Sequence, residues 1–519
     1  MTAAVATAVA AADAQSHGFG QRYDLPVPLW LYLTGAAAAV AVSFLLSAIF
    51  VRAQRPAQSH LRLNLLRLAL PRLLTHRYVR TAARAVALML YVLVLIAGFI
   101  GAQNPFKNVA PIMVWAIWWV GMPYVCALIG NLWALVNPID SIFVGLRWLF
   151  RHRARDASPP LRYPAWLAAW PAVVTLLVFE WGELVWAHSD TPLYIASALL
   201  AYTALTLIAM ALFGRESWLT NGEAFSMVYG LLARFAPTEV RVGGTRVAET
   251  WIARTGSNTS ARAHPYAPSE PASPDPWEWN LRPYAAGLLT EEPAHVSLLA
   301  LVVLMLASVT FDGFVETPAW ASFLEVVNQW FPLTDGAGGT GGSRELVYTA
   351  SLLAFAGAFF GIYLAFSYAM AKAAAVHARA HAFAESHYAP LILARFFILT
   401  LLPIAIAYHI AHYLSFLLMA GQYLIPLASD PFGFGWDLFD TKRYFVRIAI
   451  IDARVVWYTS VGAIVAGHIA AVYLAHVMAL RVFRDRRMAM ASQYPLLVLM
   501  IGYTMVSLWI IAQPIVTDR

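Results

Sequence analysis

Apolar runs long enough to cross a lipid bilayer recur from end to end of this chain of 519 residues. A transmembrane helix needs about 20 apolar residues to cross a hydrocarbon core of about 30 Å. The chain is 60% hydrophobic and 12% charged, whereas soluble domains carry about 25% charged residues. The sequence therefore predicts an all-α polytopic membrane protein without a large soluble catalytic domain. Ten runs qualify, at 28–51, 84–102, 110–136, 165–187, 192–213, 295–315, 346–370, 390–427, 456–483 and 494–514.

The eighth run, 390–427, is too long for one straight crossing and contains Pro403. Proline removes a backbone donor and clashes with the preceding turn, so the run is expected to kink or to hold a second crossing. The chain is accordingly predicted to form a bundle of about ten transmembrane helices, within a range of about nine to eleven.

Arginines between the runs predict the orientation, because Lys and Arg gather in short cytoplasmic loops. Eight arginines lie from Arg52 to Arg84, after the first run. If this loop is cytoplasmic and the chain crosses the membrane at each of the ten runs, both termini lie outside (N-out, C-out). The segment 428–455 is the exception, since it is assigned outside although it contains four basic residues. Basic loops explain the pI near 9.4, so the expected partner is the lipid bilayer and no nucleic acid is expected.

The chain is predicted to divide into four segments. Residues 1–27 are alanine-rich and form an external tail or a weak signal segment. Residues 28–236 hold five spans and end in an amphipathic helix at the inner surface. Residues 237–293 are rich in proline, which indicates a cytoplasmic linker. Residues 294–519 hold the other five spans.

Ionisable side chains inside the apolar runs are functional candidates, because a charge near the bilayer centre costs about 2.5–3.5 kcal/mol on insertion scales. Glu180 with Glu183, and His409 with His412, are spaced i, i+3, which places each pair on one helix face. With the predicted alternation, these groups fall between the middle and the outer side of the bilayer. The candidates are Glu180, Glu183, Asp312, Glu316, His409, His412 and His468. His476 lies further inward, and we expect it to hydrogen-bond a neighbouring group.

A metal site is one interpretation of these candidates. The chain has one cysteine, Cys126, so any divalent metal must bind histidines and carboxylates. Such ligands suit zinc, manganese, iron or copper, and three ligands with an open position suit a catalytic zinc. The predicted ligands are His409, His412, His468, Asp312 and Glu180, and the predicted catalytic carboxylates are Asp312, Glu316 and Glu183.

Two other interpretations remain open at this point. A haem or copper redox protein would place His409 or His412 opposite His468. A proton- or cation-coupled transporter would use the same carboxylates and histidines as an ion pathway, with the kinked eighth run as its moving element.

Four strings carry a resemblance: residues 17–30 (HGFGQRYDLPVPLW), 130–138 (GNLWALVNP), 213–218 (FGRESW) and 429–439 (SDPFGFGWDLF). With them, nearly the whole chain resembles bacterial multi-pass membrane proteins of the fenitrothion hydrolase-like family. The resemblance implies a protein of the bacterial cytoplasmic (inner) membrane. It also implies a metal-dependent hydrolase of apolar phosphotriesters, in which a metal-bound hydroxide attacks phosphorus. The resemblance does not identify catalytic residues, so the candidate site residues are chosen by their positions within the spans.

Overall fold

The computed structural model describes residues 23–51, 61–150, 159–242, 245–246, 277–334, 342–380, 389–447, 450–483 and 485–517. Nine helices of this part of the chain are long and apolar enough to cross a membrane. The chain is therefore an all-α, multi-pass membrane protein, as its composition predicts. In chain order the main helices are α1 (Leu29–Phe50), α2 (Arg77–Ile100), α3 (Val109–Leu128), α4 (Trp170–Leu184), α5 (Pro192–Phe213), α6 (Ala224–Leu232), α7 (Val296–Val315), α8 (Ser343–Ala380), α9 (Pro390–Ser429), α10 (Ala453–Val482) and α11 (Arg486–Ile515).

Shorter elements connect these helices. The short helices are Ala69–Leu74, Trp133–Val136, Pro138–Leu149, Arg215–Asn221 and Pro318–Trp330. The strands are β1 (Tyr23–Asp24), β2 (Leu63–Asn64), β3 (Thr238–Val242), β4 (Thr245–Arg246), β5 (Trp277–Leu281) and β6 (Val516–Thr517).

Two predicted spans differ from the helices that form. The run 165–187 contains only the 15 residues of α4, which rise about 22 Å at 1.5 Å per residue. The run 110–136 ends as a helix at Leu128, and the chain turns before the short helix Trp133–Val136. The long run 390–427, by contrast, follows one helical path, in which a 3₁₀ turn at Ile398–Leu401 precedes Pro403.

Contacts between helix ends show how the bundle is arranged. Arg486 Nη2, at the start of α11, donates to the carbonyl oxygen of Ala48 near the end of α1. At the other end, β1 pairs in parallel with β6, so the start of α1 lies beside the end of α11. We call the end that contains Ala48 the basic end, because the arginine-rich segment after α1 begins there.

Helix α4 is short, yet it runs from one end of the bundle to the other. The backbone nitrogen of Ala169, before its start, donates to Ser297 Oγ at the start of α7. The indole nitrogen of Trp181, near its end, donates to Thr349 Oγ1 near the start of α8. Helix α10 ends at the basic end, where His476 contacts Val51, and it runs antiparallel to α9, so α9 starts there. Arg395 near the start of α9 donates to Ala294 just before α7, so α4 starts at the basic end and ends at the opposite one.

A small antiparallel sheet of order β2-β5-β3-β4 lies at the basic end. Glu239 on β3 is buried and accepts hydrogen bonds from Arg62 Nε at 2.6 Å and Arg282 Nη1 at 2.9 Å. Both ends of the predicted linker 237–293 form strands, in which apolar and polar residues alternate. Its middle, 247–276, lies outside the described residues, as does most of the predicted tail 1–27.

The helices differ strongly in how far the protein encloses them. Within the apolar 18-residue stretch of each helix, the share of residues that the protein buries is 72% in α7 and 78% in α9, but 17% in α1 and 11% in α8. The outer helices present leucine, valine and phenylalanine side chains to the surroundings. Helices α7 and α9 carry the ionisable candidates Asp312, His409 and His412, so these groups lie where protein shields them from lipid.

Helix α6 forms where an amphipathic helix is predicted, but it does not rest on the surface of the bundle. Phe225, Val228 and Leu232 are each at most 5% exposed. Phe225 packs against the Trp118 ring at a centroid distance of 4.4 Å. The apolar face that was expected to contact lipid is instead covered by protein, because α6 packs between α3 and α4.

Candidate functional site

Asp312 and two consecutive residues of α9 form the centre of the site. His412 Nε2 lies 2.9 Å from Asp312 Oδ2, and the Tyr413 hydroxyl donates to the same oxygen at 2.6 Å. Asp312 and His412 are 9% and 8% exposed. A buried carboxylate thus accepts hydrogen bonds from two donors of a neighbouring helix, which stabilises its charge inside the membrane.

The other predicted carboxylates lie around this centre. Glu180, 4% exposed, accepts a hydrogen bond from Ser308 Oγ at 2.9 Å. Ser308 and Asp312 are one turn apart on the same face of α7. Glu183 lies within electrostatic range of Glu180 and Asp312, and Glu316 lies within range of His412. The structure therefore brings together four carboxylates from α4 and the end of α7 around His412 of α9, and His409 lies within electrostatic range of Asp312 and His412.

The other two predicted histidine ligands point elsewhere. His409 Nε2 contacts the carbonyl oxygen of Val120 at 3.1 Å. His468 Nδ1 contacts the carbonyl oxygen of Ile464 on its own helix at 2.8 Å, and its ring lies 5.8 Å from that of Tyr503. The His468 Nε2 atom has no hydrogen-bond partner in the described part of the chain.

These contacts leave one nitrogen of each ring available to a ligand. A carbonyl accepts only from an N–H, so His409 Nε2 and His468 Nδ1 carry hydrogens, and the lone pairs lie on His409 Nδ1 and His468 Nε2. Among the described residues, no group of three or more His, Cys, Asp and Glu side chains is arranged to hold a metal ion. Of the predicted ligands, His409, His412, Asp312 and Glu180 lie near one another without forming such a group, and His468 lies apart from them. His409 lies three residues, about 4.5 Å of helical rise, before His412, and its ring contacts α3 whereas that of His412 contacts α7.

His476 occupies a different place, near the basic end. Its Nδ1 lies 2.9 Å from Gln493 Oε1, and its Nε2 lies 3.1 Å from the carbonyl oxygen of Val51. The residue is fully buried and joins α10 to α11 and to the end of α1. The expectation that it hydrogen-bonds its neighbours is confirmed.

A cavity of about 50 Å³ lies beside the Asp312 centre, near the middle of α7 and α9. It has room for about three or four water-sized groups. Tyr413 lines the cavity and also bonds Asp312, so this hydroxyl joins the two. Most of the lining is apolar; its polar or aromatic residues are Trp119, Tyr124, Glu180, Ser308, His409 and Tyr413.

The wall that α3 contributes has an unusual backbone. Residues Ile112–Gly121 form a π-helix, and Pro123 follows. Proline has no N–H, so the carbonyl of Trp118, five residues earlier, lacks its π-helical partner. The Tyr229 hydroxyl of α6 donates to this carbonyl at 3.0 Å. Long π-helices are rare and occur mostly at functional sites.

Sequence reasoning missed Tyr413, Ser308 and Tyr124 as parts of the site. Two signals were available for the first two: Tyr413 follows His412 directly, and Ser308 precedes Asp312 by one helical turn. Tyr124 gave no such signal, because its approach to α9 depends on the local backbone of α3.

No protein-family model, curated protein or solved structure matches the chain.

Proposed function

We propose that this protein is a proton-coupled membrane transporter whose proton-binding centre is Asp312 with His412 and Tyr413. The observation that carries the proposal is the double hydrogen bond to Asp312 Oδ2, inside the most enclosed part of the bundle. Ionisable groups in such positions are typical of proton relays in pumps and transporters.

The neighbouring carboxylates support this proposal. Glu180, Glu183 and Asp312 lie within electrostatic range of one another. Ionising all of them together is costly, because like charges repel strongly where the dielectric constant is low. The cluster therefore holds exchangeable protons, and the number that it holds responds to any nearby change in charge.

The backbone around the cavity supports movement. Helix α3 contains its π-helical stretch on one side, and α9 contains the 3₁₀ turn before Pro403 on the other. Interrupted helices at a buried site are a recurring feature of transporters. A shift at either place would change the distance between the cavity and Asp312.

We also propose ten crossings, with the basic end in the cytoplasm of a bacterial inner membrane. The pairing of β1 with β6 supports an even number, because an odd number would separate the two ends of the described chain. Counting α4 with the nine longer helices gives ten. The arginines at the basic end favour the cytoplasmic side there.

A metal-dependent hydrolase of apolar phosphotriesters is the second candidate. The sequence resemblance favours it, and so does the largely apolar cavity beside an acid–base pair. Elemental analysis of the purified protein, combined with an assay of fenitrothion hydrolysis, tests it. A stoichiometric metal together with turnover would replace the transporter proposal. Haem would show itself by visible absorption.

The transporter proposal is tested in proteoliposomes that contain a pH-sensitive dye, with an imposed pH gradient and valinomycin to balance charge. Wild-type protein is expected to conduct protons faster than empty liposomes, and Asp312→Asn is expected to remove the difference. The matched control is Glu325→Gln, which neutralises an exposed carboxylate on Pro318–Trp330. Wild-type flux equal to that of empty liposomes, or unchanged flux in Asp312→Asn, would contradict the proposal.

A further inference from the structure

Four polar side chains around the cavity direct their hydrogen-bond donors away from it, whereas the indole nitrogen of Trp119 has no hydrogen-bond partner in the described part of the chain. The Tyr124 hydroxyl donates to the carbonyl of Ile410, and the Tyr413 hydroxyl donates to Asp312. Ser308 Oγ donates to Glu180 Oε1, and His409 Nε2 donates to a carbonyl of α3. What these four side chains can still offer to a ligand is acceptors: hydroxyl oxygens and, on the histidine, the Nδ1 lone pair.

Glu180 is the ionisable residue of the cavity wall. The side chain lines the cavity and is 4% exposed. Its Oε1 accepts from Ser308, while Oε2 accepts from no donor in the described part of the chain. A buried carboxyl group without a cationic partner is protonated or incurs a large desolvation cost, so a cation bound in the cavity would stabilise the ionised form of Glu180.

The aromatic residues of the lining favour an organic cation over a metal ion. Trp119, Tyr124 and Tyr413 place three aromatic rings around the cavity, and ring faces attract organic cations. Hard metal cations require about six or more oxygen ligands, which this mostly apolar lining does not provide. The volume of about 50 Å³ limits the occupant to a few heavy atoms.

We infer that the cavity binds a small protonated amine, of the size of ammonium or methylammonium, with Glu180 as its counter-ion. The inference rests on the proposed function and names the class of substrate that the transporter would carry. The cation donates its N–H groups to Glu180 and to the acceptors of the lining. Asp312 does not line the cavity; Tyr413, which does, lies between Asp312 and the cavity.

Binding is measured by equilibrium dialysis of radiolabelled methylammonium against the full-length protein in detergent, with equal pH on both sides. Wild type is expected to bind saturably, with competition from ammonium but not from sodium or the larger tetramethylammonium. Glu180→Gln is expected to weaken binding by about tenfold or more, since it removes a buried charge partner. The control Glu325→Gln is expected to bind as wild type does.

A second variant tests the inference if Glu180→Gln fails to fold. Ala405→Leu fills the cavity from α9 and leaves every polar group in place, and it is expected to abolish binding. Gel filtration and circular dichroism check the fold of each variant.

No binding to wild type would overturn the inference, and so would equal binding to wild type and to a folded Glu180→Gln or Ala405→Leu variant. Proton flux that depends on Asp312 without methylammonium binding would remove the cation site and leave the transporter proposal standing. Binding without proton flux would support the site and contradict the transporter.

Discussion

His412 and Asp312 join the two most enclosed helices of the bundle through a hydrogen bond of 2.9 Å between Nε2 and Oδ2. Tyr413 reaches the same oxygen from the next position in the chain. Consecutive residues of a helix point about 100° apart, so both side chains reach one carboxylate because Asp312 lies between them. The carboxylate is thereby coupled both to a titratable ring and to the wall of the cavity.

Tyr413→Phe removes one donor to Asp312 and keeps the ring. We expect it to lower the free energy of unfolding by about 1–3 kcal/mol, because a buried acceptor loses a partner, and to slow proton flux. Tyr368→Phe, at an exposed tyrosine of α8, is the matched control and is expected to change stability by less than about 0.5 kcal/mol. Thermal unfolding in detergent measures both, and equal stability of the two variants would argue against the role of the Tyr413 hydroxyl.

Gly467 is a place where α10 packs closely against α9. A Cβ at this position would lie 2.3 Å from Ala407 Cβ and 2.7 Å from the carbonyl oxygen of Pro403. Gly467→Ala is therefore expected to destabilise the protein by about 1–3 kcal/mol through overpacking. Gly462→Ala on the same helix meets nothing within 4 Å and is expected to be neutral or slightly stabilising. Tolerance of both substitutions would show that the two helices do not pack as described.

His295 caps the start of α7 and gives the fold a dependence on pH. Its Nδ1 accepts from the backbone nitrogen of Ser297 at 3.2 Å. Burial, with a smaller contribution from Arg395, lowers the pKa of His295 from its ordinary value of 6.5. The unfolded chain therefore binds the proton first, so this stabilisation is present above about pH 6.5 and is lost as pH falls below it.

The variant His295→Asn tests this prediction. Asparagine keeps an N-cap acceptor and does not titrate. The loss of thermal stability between neutral and mildly acidic pH is expected to be smaller in the variant than in wild type. An identical pH dependence in the two proteins would exclude His295 as its source.

The orientation can be tested with single cysteines in a Cys126→Ala background. Asp24→Cys and Glu325→Cys lie at the end opposite the basic end, and His76→Cys lies in the arginine-rich segment after α1. On intact cells, an impermeant maleimide is expected to label the first two and to label His76→Cys only after permeabilisation. If α4 did not cross, Asp24→Cys and Glu325→Cys would react from different sides.

The spans were predictable because apolar length alone determines them. Nine of the ten predicted runs coincide with helices long enough to cross, and the tenth contains the 15-residue α4. The carboxylates near Asp312 were also predictable as a group, since alternation of the spans sets their depth. Depth depends on the chain direction and on the rise per residue, both of which can be read from sequence.

The hydrogen-bond partner of each histidine was not predictable. The i, i+3 spacing of His409 and His412 suggested one site, yet the two rings bond different helices. His468 has the expected depth but hydrogen-bonds its own helix. The burial of α6 escaped prediction for a related reason: its apolar face is the same whether lipid or protein covers it.

Proton binding at Asp312 is tested by the pH-dependent infrared difference spectrum of the protein in lipid, compared between wild type and Asp312→Asn. If Asp312 takes up and releases protons, wild type will show a carboxyl band that appears on acidification, and the variant will lack it while Glu325→Gln retains it. Identical spectra for wild type and Asp312→Asn would mean that Asp312 does not change its protonation, and would contradict its role as the proton-binding residue.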